Sequence, residues 1–246
     1  MMPILFAVLA FRVPLPVEVF WHSLPSRSTV VWVGAHSDDE YLVAGALLAE
    51  LSRRNHQVIV IAVTHGSSKG VAGQEYDAEA ASVRRRDFDE ACAAYRSHGC
   101  WTLDFPQLAH YASPGSDAWR ESPEVILEAW RNLGLITKLS AFFQIVQPTL
   151  VLTLDPDHGM YGHPEHSAAA RAVLLALPPG VSVYAAENRF RSITSDLDPG
   201  PIDWALPGGA FWVVGHDPDL YPSQTLPRID LVPEEERFTF LRKLAR

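Results

Sequence analysis

Four stretches of this chain are almost uninterruptedly apolar, and they decide what it can become. "STVVWVGA" (28–35), "HQVIVIAVTHG" (56–66), "PTLVLTL" (148–154) and "VSVYAAE" (181–187) are rich in β-branched residues, without a clean alternation of polar and apolar positions. Such a run suits a strand covered on both faces, as in a parallel sheet between helices. Between the first two lies "EYLVAGALLAELSRRN" (40–55), apolar at helical spacing, with an acid at its start and arginines at its end. That polarity suits the helix dipole. Strand, helix and strand together make a βαβ unit, whose crossover should be right-handed.

The pattern continues along the chain. It predicts helices over 77–99 and 163–177, and one helix over 122–146 that runs through Gly134. "CWTLDF" (100–105) reads as a further strand, while 67–74 and 106–118 read as Gly-, Ser- or Pro-containing loops. "PEEERFTFLRKLAR" (233–246) closes the chain as a short expected helix. No repeat or linker divides it. The expectation is a single-domain, Rossmann-like α/β fold over 28–246, with a mostly parallel sheet and helices on both faces. Residues 1–27 form an N-terminal extension without an assigned role.

Composition excludes several partners. A net charge of -9 argues against duplex nucleic acid and against anionic membrane surfaces, both of which call for basic protein. "MMPILFAVLAF" is apolar, but it is too short to span a bilayer and lacks the basic start and small-residue cleavage site of a signal peptide. It is better suited to packing on the domain or a partner than to a membrane. On a single helix, Cys92 and Cys100 would sit about 12 Å apart, beyond disulfide reach. Both are therefore expected to be reduced, which fits a cytoplasmic protein. The sequence leaves homo-oligomerisation open.

Ligands of parallel sheets gather at the carboxyl ends of the strands. Two segments there are dense in polar groups: "AHSDDE" (35–40) after the first strand and "DPDHGMYGHPEH" (155–166) after "PTLVLTL". A histidine and three acids in five positions repel one another and resist burial, so they call for a cation. Catalytic zinc takes three protein ligands and leaves one position open. His36, one aspartate and His166 would make a His₂-carboxylate site. The spare aspartate could then take a proton from water, and His163 could stabilise or protonate what forms next.

At these residues the sequence resembles the N-acetylglucosaminyl-phosphatidylinositol de-N-acetylase, or LmbE-like, zinc deacetylases. That family carries "AHPDDE" after its first strand and "GHPDH" at the start of a late helix; here they stand as "AHSDDE" (35–40) and "GHPEH" (162–166). The resemblance runs in outline from about residue 29 to 187. It implies His36, Asp39 and His166 as ligands of a zinc ion, Asp38 as general base, and His163 as the group facing the oxyanion. It also implies a substrate-contacting arginine three residues ahead of an acid, which fits Arg86 with Asp89. The implied substrate is a small N-acyl amino sugar, and the implied reaction is hydrolysis of its amide.

Departures from the pattern bear on the substrate more than on the chemistry. Ser37 replaces the usual proline, Glu165 replaces an aspartate and should keep a supporting carboxylate, and Gln107 stands about where many members have an aspartate. "YPSQ" (221–224) is an altered form of a C-terminal element. A non-sugar N-acyl substrate, such as a natural-product intermediate, is the nearest alternative. A non-catalytic module is the other, because acids at a helix start can simply cap it and "HPEH" can combine a cap with a core histidine. His65, Asp157 and His158 read first as surface or loop residues, and the tryptophans as core or surface anchors.

Overall fold

The computed structural model describes residues 24–64, 66, 78–110, 112, 118–159, 162–188, 212–213 and 238–243. Strands β1 (Thr29–Gly34), β2 (Gln57–Thr64), β3 (Gly99–Phe105), β4 (Leu150–Leu154) and β5 (Ser182–Asn188) run parallel, joined by β6 (Trp212–Val213) and β7 (Phe238–Lys243). The sheet order is β3-β2-β1-β4-β5-β7-β6. The helices are α1 (Asp39–Arg53), α2 (Ala78–Ala94), α3 (Pro123–Asn132), α4 (Leu135–Val146) and α5 (Pro164–Ala176).

Each apolar run is buried on both faces, as its composition requires. Val30 and Trp32 face one side, packed with Leu47, Leu48 and Leu51 of α1, Phe88 of α2 and Tyr95 just after it. Val31 and Val33 face the other, against Trp130 of α3, Phe143 of α4 and the alanines of α5. Those alanines let α5 lie close on the sheet. Because β1 pairs with β2 on one side and β4 on the other, the chain reverses its direction of travel between β1 and β4. That reversal opens a crevice at the carboxyl ends of these two strands. Both polar segments lead out of it.

Three expectations are corrected. The helix over 122–146 is two helices: Gly134 adopts φ +91°, a left-handed conformation that ends α3 and starts α4. The C-terminal helix is a strand over its described part. β7 pairs antiparallel with β5, from Tyr184↔Lys243 to Asn188↔Thr239, and its "FTFL" run has the aromatic and branched residues that favour pairing. Finally, Cys92 and Cys100 form a disulfide with 6.4 Å between their Cα atoms. Helix α2 stops at Ala94, and the chain turns back to place Cys100 on β3 beside it. The argument for a cytoplasmic location from reduced thiols falls with that pairing. Among the described residues, no helix is long and apolar enough to cross a membrane.

Candidate metal and catalytic centre

The loop after β1 is fastened by one of its own acids. Asp39 begins α1, and its Oδ2 accepts the backbone N–H groups of Ala35 (2.7 Å) and His36 (2.9 Å). Gly34 makes this fold-back possible, since a Cβ there would stand 2.9 Å from Cβ of Asp39. With Oδ2 committed, Oδ1 is buried and faces the two histidines. It lies 3.1 Å from Nε2 of His166 and 3.6 Å from Nδ1 of His36. Those two nitrogens are 3.1 Å apart.

The residues therefore fit a small divalent cation. Donors held at about 2.0–2.2 Å in a tetrahedron lie about 3.3–3.6 Å from one another, close to this triangle of one oxygen and two nitrogens. The electrostatics make the same demand. Burial disfavours charge on His36, yet Asp39 and Glu165 outweigh it and hold the imidazole up at about 10. Burial likewise opposes charge on Asp39, but His166 and His36 pull its carboxyl well below the ordinary range. A cation would supply the positive charge that a proton supplies here.

Glu165 supports the other side of His36. Its Oε2 is 2.5 Å from His36 Nε2, which directs Nδ1 inward. Its Oε1 accepts the backbone N–H groups of Leu108 and of Ala109, the latter at 3.0 Å. One buried carboxylate thus ties a candidate ligand to the connection between β3 and α3.

Asp38 and His163 lie beside this triangle. Asp38 occupies the N-cap position of α1 but makes no side-chain capping bond, so capping does not account for it. It is half-buried, and one of its carboxylate oxygens can lie within 4.8 Å of ligand atoms on His36 and Asp39. His163 caps α5, its Nδ1 accepting the Glu165 N–H at 3.2 Å. Its ring stacks on His166, with centroids 4.5 Å apart. Burial, with the neighbouring His166 and His36, pushes the His163 imidazole well below its usual range.

The arginines of α2 are arranged otherwise than their spacing implies. Asp89 receives Arg85, at 3.0 and 3.1 Å, and not Arg86. The Arg86 side chain is 62% exposed and, among the described residues, pairs with Asp87, at 3.7 Å. Arg84 is the arginine that packs at the sheet edge: a Cβ on Gly66 would meet its Cδ at 3.0 Å and the Ser37 hydroxyl at 3.3 Å. Asp87, three residues after Arg84, is buried where Asp89 is exposed, a difference that the equal spacing of the two pairs does not reveal. His158 is 82% exposed, 3.4 Å from Asp155, as a loop residue should be. His65, the Gly-rich segment 67–74 and "YPSQ" lie outside the described residues.

Comparison with known proteins bears on the same region. The profile of the GlcNAc-PI de-N-acetylase family (PIG-L) matches residues 31–177, from β1 through the end of α5. A 1D-myo-inositol 2-acetamido-2-deoxy-alpha-D-glucopyranoside deacetylase of Corynebacterium diphtheriae is 31% identical over 150 residues, 56% of this chain and 48% of that protein. The chain thus spans about half the length of the curated relatives it matches. Among solved structures, a deacetylase–teicoplanin complex from teicoplanin biosynthesis shares the fold at TM-score 0.59 and 20% identity, covering 88% of this chain and 97% of that one. The 4-carboxy-2-hydroxymuconate hydratase GalB of Pseudomonas putida KT2440 shares it at TM-score 0.52 and 14% identity, covering 89% and 97%. A deacetylase and a hydratase on one fold show that architecture alone does not select the reaction. The family match spans both polar loops, and by it the chain belongs to the GlcNAc-PI de-N-acetylase (PIG-L) family.

Proposed function

We propose that this protein is a zinc-dependent hydrolase that removes an N-acyl group, N-acetyl above all, from an amino sugar or an amino-sugar conjugate. The observation that carries the reading is the 3.1–3.6 Å triangle of His36 Nδ1, His166 Nε2 and Asp39 Oδ1; Asp38, within 4.8 Å of ligand atoms on His36 and Asp39, is assigned in this reading to the water and not to the metal. A zinc ion held there would polarise the amide carbonyl and acidify the attacking water. Asp38, half-buried and free of capping duty, would accept that water's proton. His163 presents Nε2, since Nδ1 is taken up by the Glu165 N–H. A donor at that position would meet negative charge that develops only after attack on the carbonyl. Glu165 keeps His36 oriented.

Substrate recognition falls to the residues around the crevice. Arg84, at the β2 edge beside Ser37, is the better-placed arginine for a sugar hydroxyl or an anionic aglycone. Arg86 would take that role only by folding its exposed side chain back across α2.

The reading is tested with purified protein loaded with zinc, on N-acetylglucosaminyl inositol and on N-acetylated natural-product conjugates. Primary-amine release should depend on zinc, stop on chelation and return on metal restoration. Amine release that survives complete metal removal would overturn it. His163→Ala should keep zinc and KM while kcat falls about 10²–10³-fold.

A further inference from the structure

Trp119 stands against the histidine whose aim matters most. Its indole centroid is 4.2 Å from that of His163, with the two planes inclined at 55°. His163 is otherwise bounded by His166, stacked at 4.5 Å, and by His36, edge-on at 4.9 Å. Among the described residues its ring is hydrogen-bonded through Nδ1, by the 3.2 Å contact from the Glu165 N–H, a long bond that leaves the ring able to swing about that nitrogen. His163 is also the most exposed of the three clustered histidines. Packing by the indole limits that swing.

Trp119 is itself held from two directions. The connection between β3 and α3 is drawn to α5 at its start, where Glu165 takes the N–H groups of Leu108 and Ala109. Further on it pairs with itself: Arg120 N–H donates to the His110 carbonyl and Ala112 N–H to the Ala118 carbonyl, each at 2.8 Å. Glu121 then accepts the His110 N–H at 2.8 Å and lies 3.1 Å from its Nδ1. Trp119 lies between two of these bonded positions, Ala118 and Arg120. Nothing in its sequence context separates it from the other tryptophans.

We propose that Trp119 is a positioning residue, which fixes the His163 imidazole so that Nε2 faces the reacting carbonyl. This rests on the role given to His163 above. A misaimed catalytic group can cost about 10²-fold, and the effect should fall on kcat, because the donor acts on charge absent from the ground state.

The test compares the parent with Trp119→Ala, Trp119→Phe, His163→Ala and the Trp119→Ala/His163→Ala double variant, all zinc-loaded, by steady-state amine release. Trp119→Ala should lower kcat about 10- to 100-fold with KM nearly unchanged, and Trp119→Phe should recover most of the loss. The double variant should be no slower than His163→Ala, because the indole acts through that ring. An unchanged kcat, losses that multiply in the double variant, or a raised KM at full kcat would overturn the proposal; the last would make Trp119 a substrate platform. Histidine-selective NMR gives a readout that needs no turnover. The indole's share of the ring-current shift on the His163 ring protons should be lost in Trp119→Ala and persist in part in Trp119→Phe, and signals that do not move would overturn the contact. If the parent turns over no substrate while that shift behaves as expected, the functional reading fails and the positioning stands.

Discussion

Asp39 does two things with one carboxylate. Oδ2 closes the loop on the amides of Ala35 and His36, and Oδ1 remains aimed at His36 and His166. That division needs the carboxylate to lie back over Gly34, where an added Cβ would come within 2.9 Å of Asp39 Cβ and 3.1 Å of its Oδ2. Gly34→Ala should therefore weaken zinc binding, measured by competition with a chelator, and cost about 1–3 kcal/mol of stability from overpacking. Unchanged affinity would mean that Asp39 is not a ligand, or that α1 shifts without cost. The histidines and acids of both loops were legible in the sequence because their chemistry is local: four ionisable groups cannot share one loop without a partner. Arg84, Trp119 and the second grip of Glu165 were not legible. Each depends on which face of α2, or which turn of the β3–α3 connection, reaches the crevice, and no residue spacing states that.

At the scale of elements, uniform apolar runs were reliable. β1, β2 and β4 are buried along nearly their whole length, as continuous hydrophobicity demands. Periodicity was less informative where backbone conformation decides. Leu135, Leu139 and Phe143 keep a helical repeat beyond Gly134, so the pattern alone runs straight across the break. The φ of +91° at Gly134 makes the break, and no atom lies within 4 Å of a Cβ built there. Gly134→Ala should then cost about 1 kcal/mol through backbone strain alone, with no clash and no loss of zinc. A denaturant midpoint read alongside metal content checks this. A stabilised Gly134→Ala protein would show α3 and α4 merging into the single helix that the periodicity describes. The C-terminal segment misled for a different reason. Its charged flanks look helical, while its pairing is fixed by the open edge of β5, a partner distant in sequence.

For the whole molecule, the disulfide is the largest departure from what composition suggested. Cys92–Cys100 joins α2 to the edge strand β3 and closes a short loop, eight residues apart in sequence. By loop-closure entropy, Cys100→Ser should destabilise the protein by about 2 kcal/mol. Reduction of the parent should lower its denaturation midpoint to the same point, and equal midpoints for oxidised parent and variant would remove the bond from the account of stability. The two helical layers and the sheet between them otherwise set the carboxyl ends of the central strands β1 and β4 side by side, so that residues about 130 apart in the chain, such as His36 and His166, meet at 3.1 Å. The central claim concerns what that meeting does, and it is tested most directly on Asp38→Asn, with zinc content and amine release measured on the same sample. Because the proposed mechanism assigns Asp38 to the water and not to the metal, the variant should hold zinc at the parent's stoichiometry while its turnover falls about 10²–10⁴-fold. Turnover at the parent's rate, or loss of zinc in step with activity, would contradict it.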